Sequence, residues 1–228
     1  MKELICVCLA VLLLAGLCGC GQGEAEEPSI QSTTIDTTLQ TEPEEFEYAV
    51  TQRIHESLPE FTFTVRGYDD GEIAGVSLIE IVGDGFSQRL DTDFELESWA
   101  LERLALTFED FTNDGFLDLR LQAIYNANGP AQFWLWDKDE NKFIENKQLQ
   151  ELNEGRYALS VDEDGRVFSA PQKWEGYYYE FRNDEFVLVE SYEWGHESID
   201  GKTYWFERTY QLIDGIMELV SYTKEEMD

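Results

Sequence analysis

The sequence predicts a mainly β domain, an antiparallel meander of hairpins with one short helix at its N-terminal end. Three observations carry this. Short runs alternating apolar and polar residues recur from Phe61 to the C-terminal end. Turn-forming pairs such as Asp70-Gly71, Asp164-Gly165, Asn183-Asp184 and Asp214-Gly215 separate them. Aromatic residues, which suit a pleated and half-buried surface, make up 14% of the chain. Hairpins at this spacing fit a propeller-like arrangement, a sandwich or an open barrel.

The first residues stand apart from that domain. Met1-Lys2-Glu3 precedes an apolar run from Leu4 to Gly19. The run is shorter than the roughly 20 residues that span a bilayer. A charged start, a short apolar core and small residues at the exit describe a cleaved export signal over residues 1–19. The run closes on Leu17-Cys18-Gly19-Cys20, which resembles the bacterial lipobox. That resemblance implies diacylation of Cys20, which becomes the new N-terminus and anchors the chain to the membrane. The chain is then expected on the outer face of the cell membrane, periplasmic or at the cell surface. All four cysteines, at positions 6, 8, 18 and 20, lie in this segment. Disulfides, cysteine-ligated zinc and cysteine nucleophiles are therefore excluded from the rest of the chain.

Residues 20–45 hold mostly Gly, Glu, Ser, Thr, Gln and Pro after the cysteine. Such a stretch cannot bury enough apolar surface to offset its ordering entropy, and is read as a disordered acidic tether. Residues 46–228, about 180 in all, suffice for one domain with its own core.

Within that domain, Phe46, Val50, Ile54 and Leu58 recur at helical spacing, which predicts the short helix over Phe46–Leu58 with His55 on it. Phe61 to Val65 alternates and leads through Asp70-Gly71 to the β-branched run Val76–Val82, closed by Gly83-Asp84-Gly85. Leu96 to Leu106 fits a helix or the approach to a strand. Phe133–Trp136, a polar turn over 137–142 and Phe143-Ile144 form a hairpin. Three more follow: Tyr157–Val161 with Arg166–Ser169, Tyr177–Phe181 with Phe186–Val189, and Thr203–Leu212 with Ile216–Tyr222. His196 follows Trp194-Gly195 and is placed in a turn.

One segment carries chemistry. In Phe108-Glu-Asp-Phe-Thr-Asn-Asp-Gly-Phe-Leu-Asp-Leu119, residues Asp110, Thr112 and Asp114 occupy alternate positions, Gly115 follows, and Asp118 comes four after Asp114. Calcium takes six to eight oxygen ligands, and a tight loop aims alternate side chains at one interior. Glycine at the sixth position permits the sharp turn. The carbonyl of Phe116 adds a donor, and Asp118 binds directly or through water. The twelfth position is Leu121 rather than a glutamate, which excludes a helix–loop–helix EF-hand. Strand-like flanks, Leu104–Phe108 and Leu117–Leu121, place the loop between strands.

This segment resembles the Asp-x-Asn-x-Asp-Gly-x-x-Asp-Leu calcium loops of the FG-GAP and VCBS class, found in β-propellers and small exported bacterial proteins, some of them similar to periplasmic lysozyme inhibitors. The resemblance covers residues 104–121 and extends toward 145. Asp110, Asp114, Gly115 and Asp118 match; Thr112 stands where Asn or Asp is usual. The resemblance implies a structural calcium ion in a non-enzymatic exported protein; the sequence holds only one convincing copy of the loop, which does not support a complete propeller of tandem repeats.

The formal net charge of −32 excludes nucleic acid, which needs a basic surface, and favours cations, cationic proteins or neutral glycans. No Gly-x-Ser-x-Gly elbow or phosphate-binding glycine loop occurs, and the two histidines carry no evident partners. The expected function is a calcium-binding lipoprotein acting as a binding module, with a lysozyme-like enzyme as one cationic target. The alternative is a carbohydrate-binding or carbohydrate-active lipoprotein using Trp134, Trp136, Trp174, Trp194, Trp205 and the Tyr177–Tyr179 run as stacking platforms.

Overall fold

The computed structural model describes residues 42–125, 127–155 and 157–227. The export signal, Cys20 and the tether as far as residue 41 lie outside the described residues. Three antiparallel sheets follow one another along the chain, and in each the order in space is the order in sequence. None closes into a barrel.

The first sheet holds β1 (Glu44–Gln52), β2 (Phe61–Asp69), β3 (Ile73–Gly83) and β4 (Phe86–Glu97). Its first strand replaces the expected helix. Phe46 and Val50 fit helical spacing, but Phe46, Tyr48 and Val50 also fit a period of two, and the chain takes the second option. A helix this short is marginal without tertiary support. As a strand, the segment pairs with β2 without a break from Glu44↔Asp69 to Gln52↔Phe61. It also lays Phe46 and Tyr48 against the main core. The first strand among the described residues thus begins at Glu44, inside what the sequence marks as tether.

The ambiguous stretch Leu96–Leu106 resolves into three pieces. Leu96 lies at the end of β4, Ser98–Arg103 forms a 3-10 turn with Ala100 buried, and Leu104 opens the second sheet. That sheet holds β5 (Leu104–Glu109), β6 (Asp118–Ala123), β7 (Ala131–Asp137) and β8 (Lys142–Glu145). A helix absent from the sequence reading, α1 (Lys147–Leu152), follows; Asn146 caps it by accepting the Leu149 N–H.

The third sheet holds β9 (Tyr157–Val161), β10 (Val167–Ala170), β11 (Glu175–Arg182), β12 (Glu185–Ile199), β13 (Lys202–Ile213) and β14 (Ile216–Glu226). His196 lies in β12 opposite Trp205 rather than in a turn. The hairpins read from Asp70-Gly71, Gly83–Gly85, Asp164-Gly165, Asn183-Asp184 and Asp214-Gly215 all form.

Period-two alternation divides β7 between two cores. Trp134 and Trp136 face the first sheet and join Phe61, Phe63 and Phe143. Phe133 faces the other way, with Phe111, Leu149, Leu159, Val167 and Phe186. The second sheet is therefore covered on both sides. Two glutamines fasten these layers. Gln88 donates to the Phe143 carbonyl at 2.7 Å and accepts its N–H at 2.9 Å. Gln148 does the same for Phe186, at 2.7 and 2.8 Å. Each side-chain amide thus satisfies the backbone groups of a strand.

Candidate metal centre

The 110–118 segment links β5 to β6 and lies where all three sheets meet. Asn113 (φ 54°) and Gly115 (φ 90°) take left-handed backbone, so the turn closes within a few residues. Asp110 shapes it from inside: Oδ1 accepts the Asp114 N–H at 3.1 Å and Oδ2 the Gly115 N–H at 2.8 Å. Thr112 donates its hydroxyl to the same carboxylate at 3.4 Å. Asp114 accepts the Phe116 N–H at 2.9 Å through Oδ1, and its Oδ2 lies 3.2 Å from the Lys138 ammonium.

Asp118 is placed differently. It opens β6 at 1% exposure. Its Oδ2 accepts the Phe111 N–H at 2.9 Å and its Oδ1 the Trp136 N–H at 2.8 Å. One carboxylate thus pins the start of the loop to the neighbouring strand. Burial pushes its pKa up to about 8; the two N–H donors oppose the rise, and the charges of Asp110 and Asp114 add to it. Those additions show that the three carboxylates share one electrostatic neighbourhood. Among the described residues, however, no three carboxylate or imidazole side chains converge closely enough to enclose an ion as they stand. Asp110, Thr112, Asp114 and the Phe116 carbonyl belong to the turn, and Asp118 closes its base.

Three supports hold the loop from elsewhere in the chain. The Leu117 N–H bonds the Ile54 carbonyl at 2.9 Å, and the His55 ring stacks on Phe116 with centroids 4.0 Å apart. The segment after β1, expected to be helical, is in fact the platform of the loop. Asn113 donates to the Asp164 carbonyl at 3.4 Å, touching the β9–β10 turn. Glu109 accepts the Val161 N–H at 3.1 Å and lies 3.5 Å from Arg120. Nothing in the local sequence marks these contacts, because each joins residues far apart in the chain.

Beside the loop is an open cavity of about 620 Å³, lined in part by Thr112, Asp114, Asp137, Lys138, Asp139 and Asp184. Its charged walls are acidic apart from Lys138, the side chain already paired with Asp114. Of the aromatic platforms expected for a glycan, Trp134 and Trp136 are 3% and 4% exposed and belong to the core. No family model, curated protein or solved structure matches this chain.

Proposed function

We propose that the chain is a lipid-anchored, extracytoplasmic binding module without catalytic activity, in which a calcium ion held by the 110–118 loop secures the junction of the three sheets. The observation that carries this reading is the loop itself. Asp110 folds it around its own amides, Asp114 turns one oxygen toward a cation, and the buried Asp118 shares their field. Three neighbouring carboxylates with only one ammonium nearby repel one another, and a divalent cation relieves that repulsion. Asp110, Thr112, Asp114 and the Phe116 carbonyl are the donors. Asp118 binds directly or through water while retaining its strand contacts. Lys138 leaves Asp114 when the ion enters.

The acidic surface selects the target class: a cationic protein, with a lysozyme-like enzyme as the version the loop resemblance offers. Anchorage at Cys20 holds the module where such proteins meet the cell envelope. The test is binding of the full chain to egg-white lysozyme at about 0.15 M salt, where diffuse attraction is screened beyond about 8 Å. Saturable binding that weakens when EGTA removes calcium supports the reading. Binding absent under both conditions removes lysozyme as a target.

A further inference from the structure

The aromatic residues of the third sheet are sorted by its pleat. Val167, Tyr179 and Phe186 face the second sheet. Phe168 and Tyr178, paired across β10 and β11, face outward. From them a row of rings continues across β12 to β13: Tyr192 stacks on Trp194 with centroids 4.9 Å apart, and His196 meets Trp205 at 4.9 Å. Trp174, just before β11, stands between them, 6.3 Å from Trp194 and 5.8 Å from Trp205. Gly176 makes room for the row, since a Cβ there would lie 2.3 Å from the Tyr192 ring.

No layer covers this part of the sheet: none of residues 190–227 is buried. A shallow cavity of about 390 Å³ opens beside Tyr192, Trp194 and Trp205. Aromatic rings left uncovered on an unpartnered sheet face mark an interaction surface.

We propose that this face binds arginine and lysine side chains of a cationic polypeptide, which deepens the reading given under Proposed function and rests on it. Ring geometry selects the ligand class. Trp174 is inclined 84° to Trp194 and 75° to Trp205. These perpendicular rings around Trp174 present faces to a compact cation from more than one side, beside Tyr192 and Trp194, which lie nearly parallel at 18°. The face already holds two such cations, the Lys173 ammonium 4.4 Å from the Trp174 ring centre and the Arg166 guanidinium 4.3 Å from that of Tyr178.

Charge makes the same selection. Glu207 lies opposite Trp194 and Glu225 opposite Trp205, on the same face as the rings. Both are exposed, and neither has an ion-pair partner among the described residues. A second copy of this chain, at net charge −32, is repelled rather than attracted.

The test is a titration of the full chain with a fluorescein-labelled nona-arginine peptide at about 0.15 M salt. Three double variants are compared with the parent: Trp174→Ala with Trp205→Ala, Glu207→Gln with Glu225→Gln, and a distant control, Glu44→Gln with Glu45→Gln. Far-ultraviolet circular dichroism and Tm within about 2 °C of the parent establish that each variant is folded. The expected result is a loss of about ten-fold or more in affinity for the tryptophan pair, a comparable loss for the facing glutamates, and less than about two-fold for the control. If the peptide binds but ignores the tryptophans, the cationic-partner reading stands and this face is not its site. If no peptide binds, both fall. Tryptophan-dependent binding of cellohexaose in place of the peptide, or concentration-dependent dimerisation through the face, overturns the proposal in favour of a glycan or a second copy.

Discussion

The Asp118 carboxylate accepts the Trp136 backbone N–H at 2.8 Å while accepting the Phe111 N–H at 2.9 Å. One buried carboxyl group therefore joins β6, β7 and the loop between β5 and β6. Its pKa of about 8 is high for such a well-bonded group because burial and the neighbouring Asp110 and Asp114 outweigh the two amides.

A pH dependence follows for the calcium-free protein. Asp118 has the ordinary aspartate pKa of 3.8 when unfolded, and burial raises it to about 8 when folded. Between those values the folded state holds more protons, so stability falls as pH rises. The contribution is fully present below the unfolded pKa and is lost as pH passes through the folded one. Chemical denaturation in EGTA at pH 5, 6, 7 and 8 should show this decline. In saturating calcium, which favours the ionised form, the decline should disappear. Asp118→Asn should flatten the EGTA profile; since an amide cannot accept at both ends, it should also cost about 1–3 kcal/mol by leaving one buried N–H unpaired.

Lys138 competes with calcium for Asp114, from which its ammonium lies 3.2 Å away. An exposed pair of this kind is worth about 0.2–1 kcal/mol. Lys138→Met should accordingly tighten calcium binding about two- to five-fold by isothermal titration. Weaker binding would show that the lysine supports the site instead.

The His55 ring, stacked at 4.0 Å on Phe116, is the lid of the loop's platform. A stacked pair contributes about 0.5–1.5 kcal/mol beyond its buried area. His55→Ala should lower Tm by about 2–5 °C, and His55→Phe should restore most of it.

Gln148 spans both backbone groups of Phe186. Gln148→Leu keeps most of the side-chain volume but leaves that N–H and C=O without their partner, at about 1–3 kcal/mol for each buried group. Denaturant midpoints should report the loss, with the m-value unchanged because the surface exposed on unfolding is the same.

The hairpins were legible because their signals are local. Asp-Gly and Asn-Asp pairs sit at positions whose φ is positive, as at Asn183, Asp184 and Gly215, and the flanking alternation sets the faces. The 46–58 segment misled for an equally physical reason. Phe46 and Val50 satisfy both periods, and the choice between them is made by β2, a partner that no local pattern reveals. His196 followed the same course, since Trp194-Gly195 looks like a turn until β13 is there to pair with it. The loop's own residues were evident from their spacing. Its supports, Ile54, His55 and Asp164, were not, because they come from two segments remote from the loop in sequence. Among the tryptophans, composition could not distinguish Trp136, packed between sheets, from Trp205, on an uncovered face.

Calcium in the 110–118 loop is tested most directly by thermal unfolding of the full chain in EGTA and in millimolar calcium, beside Asp114→Ala. At a free calcium concentration about 100 times Kd, binding to the folded state adds about 2.7 kcal/mol. For a chain of this size that is a rise in Tm of about 5–10 °C. The predicted result is such a rise in the parent and none in the variant. Identical unfolding curves for the parent in EGTA and in calcium would contradict it, leaving the three carboxylates to fold the loop and pin its strands without an ion.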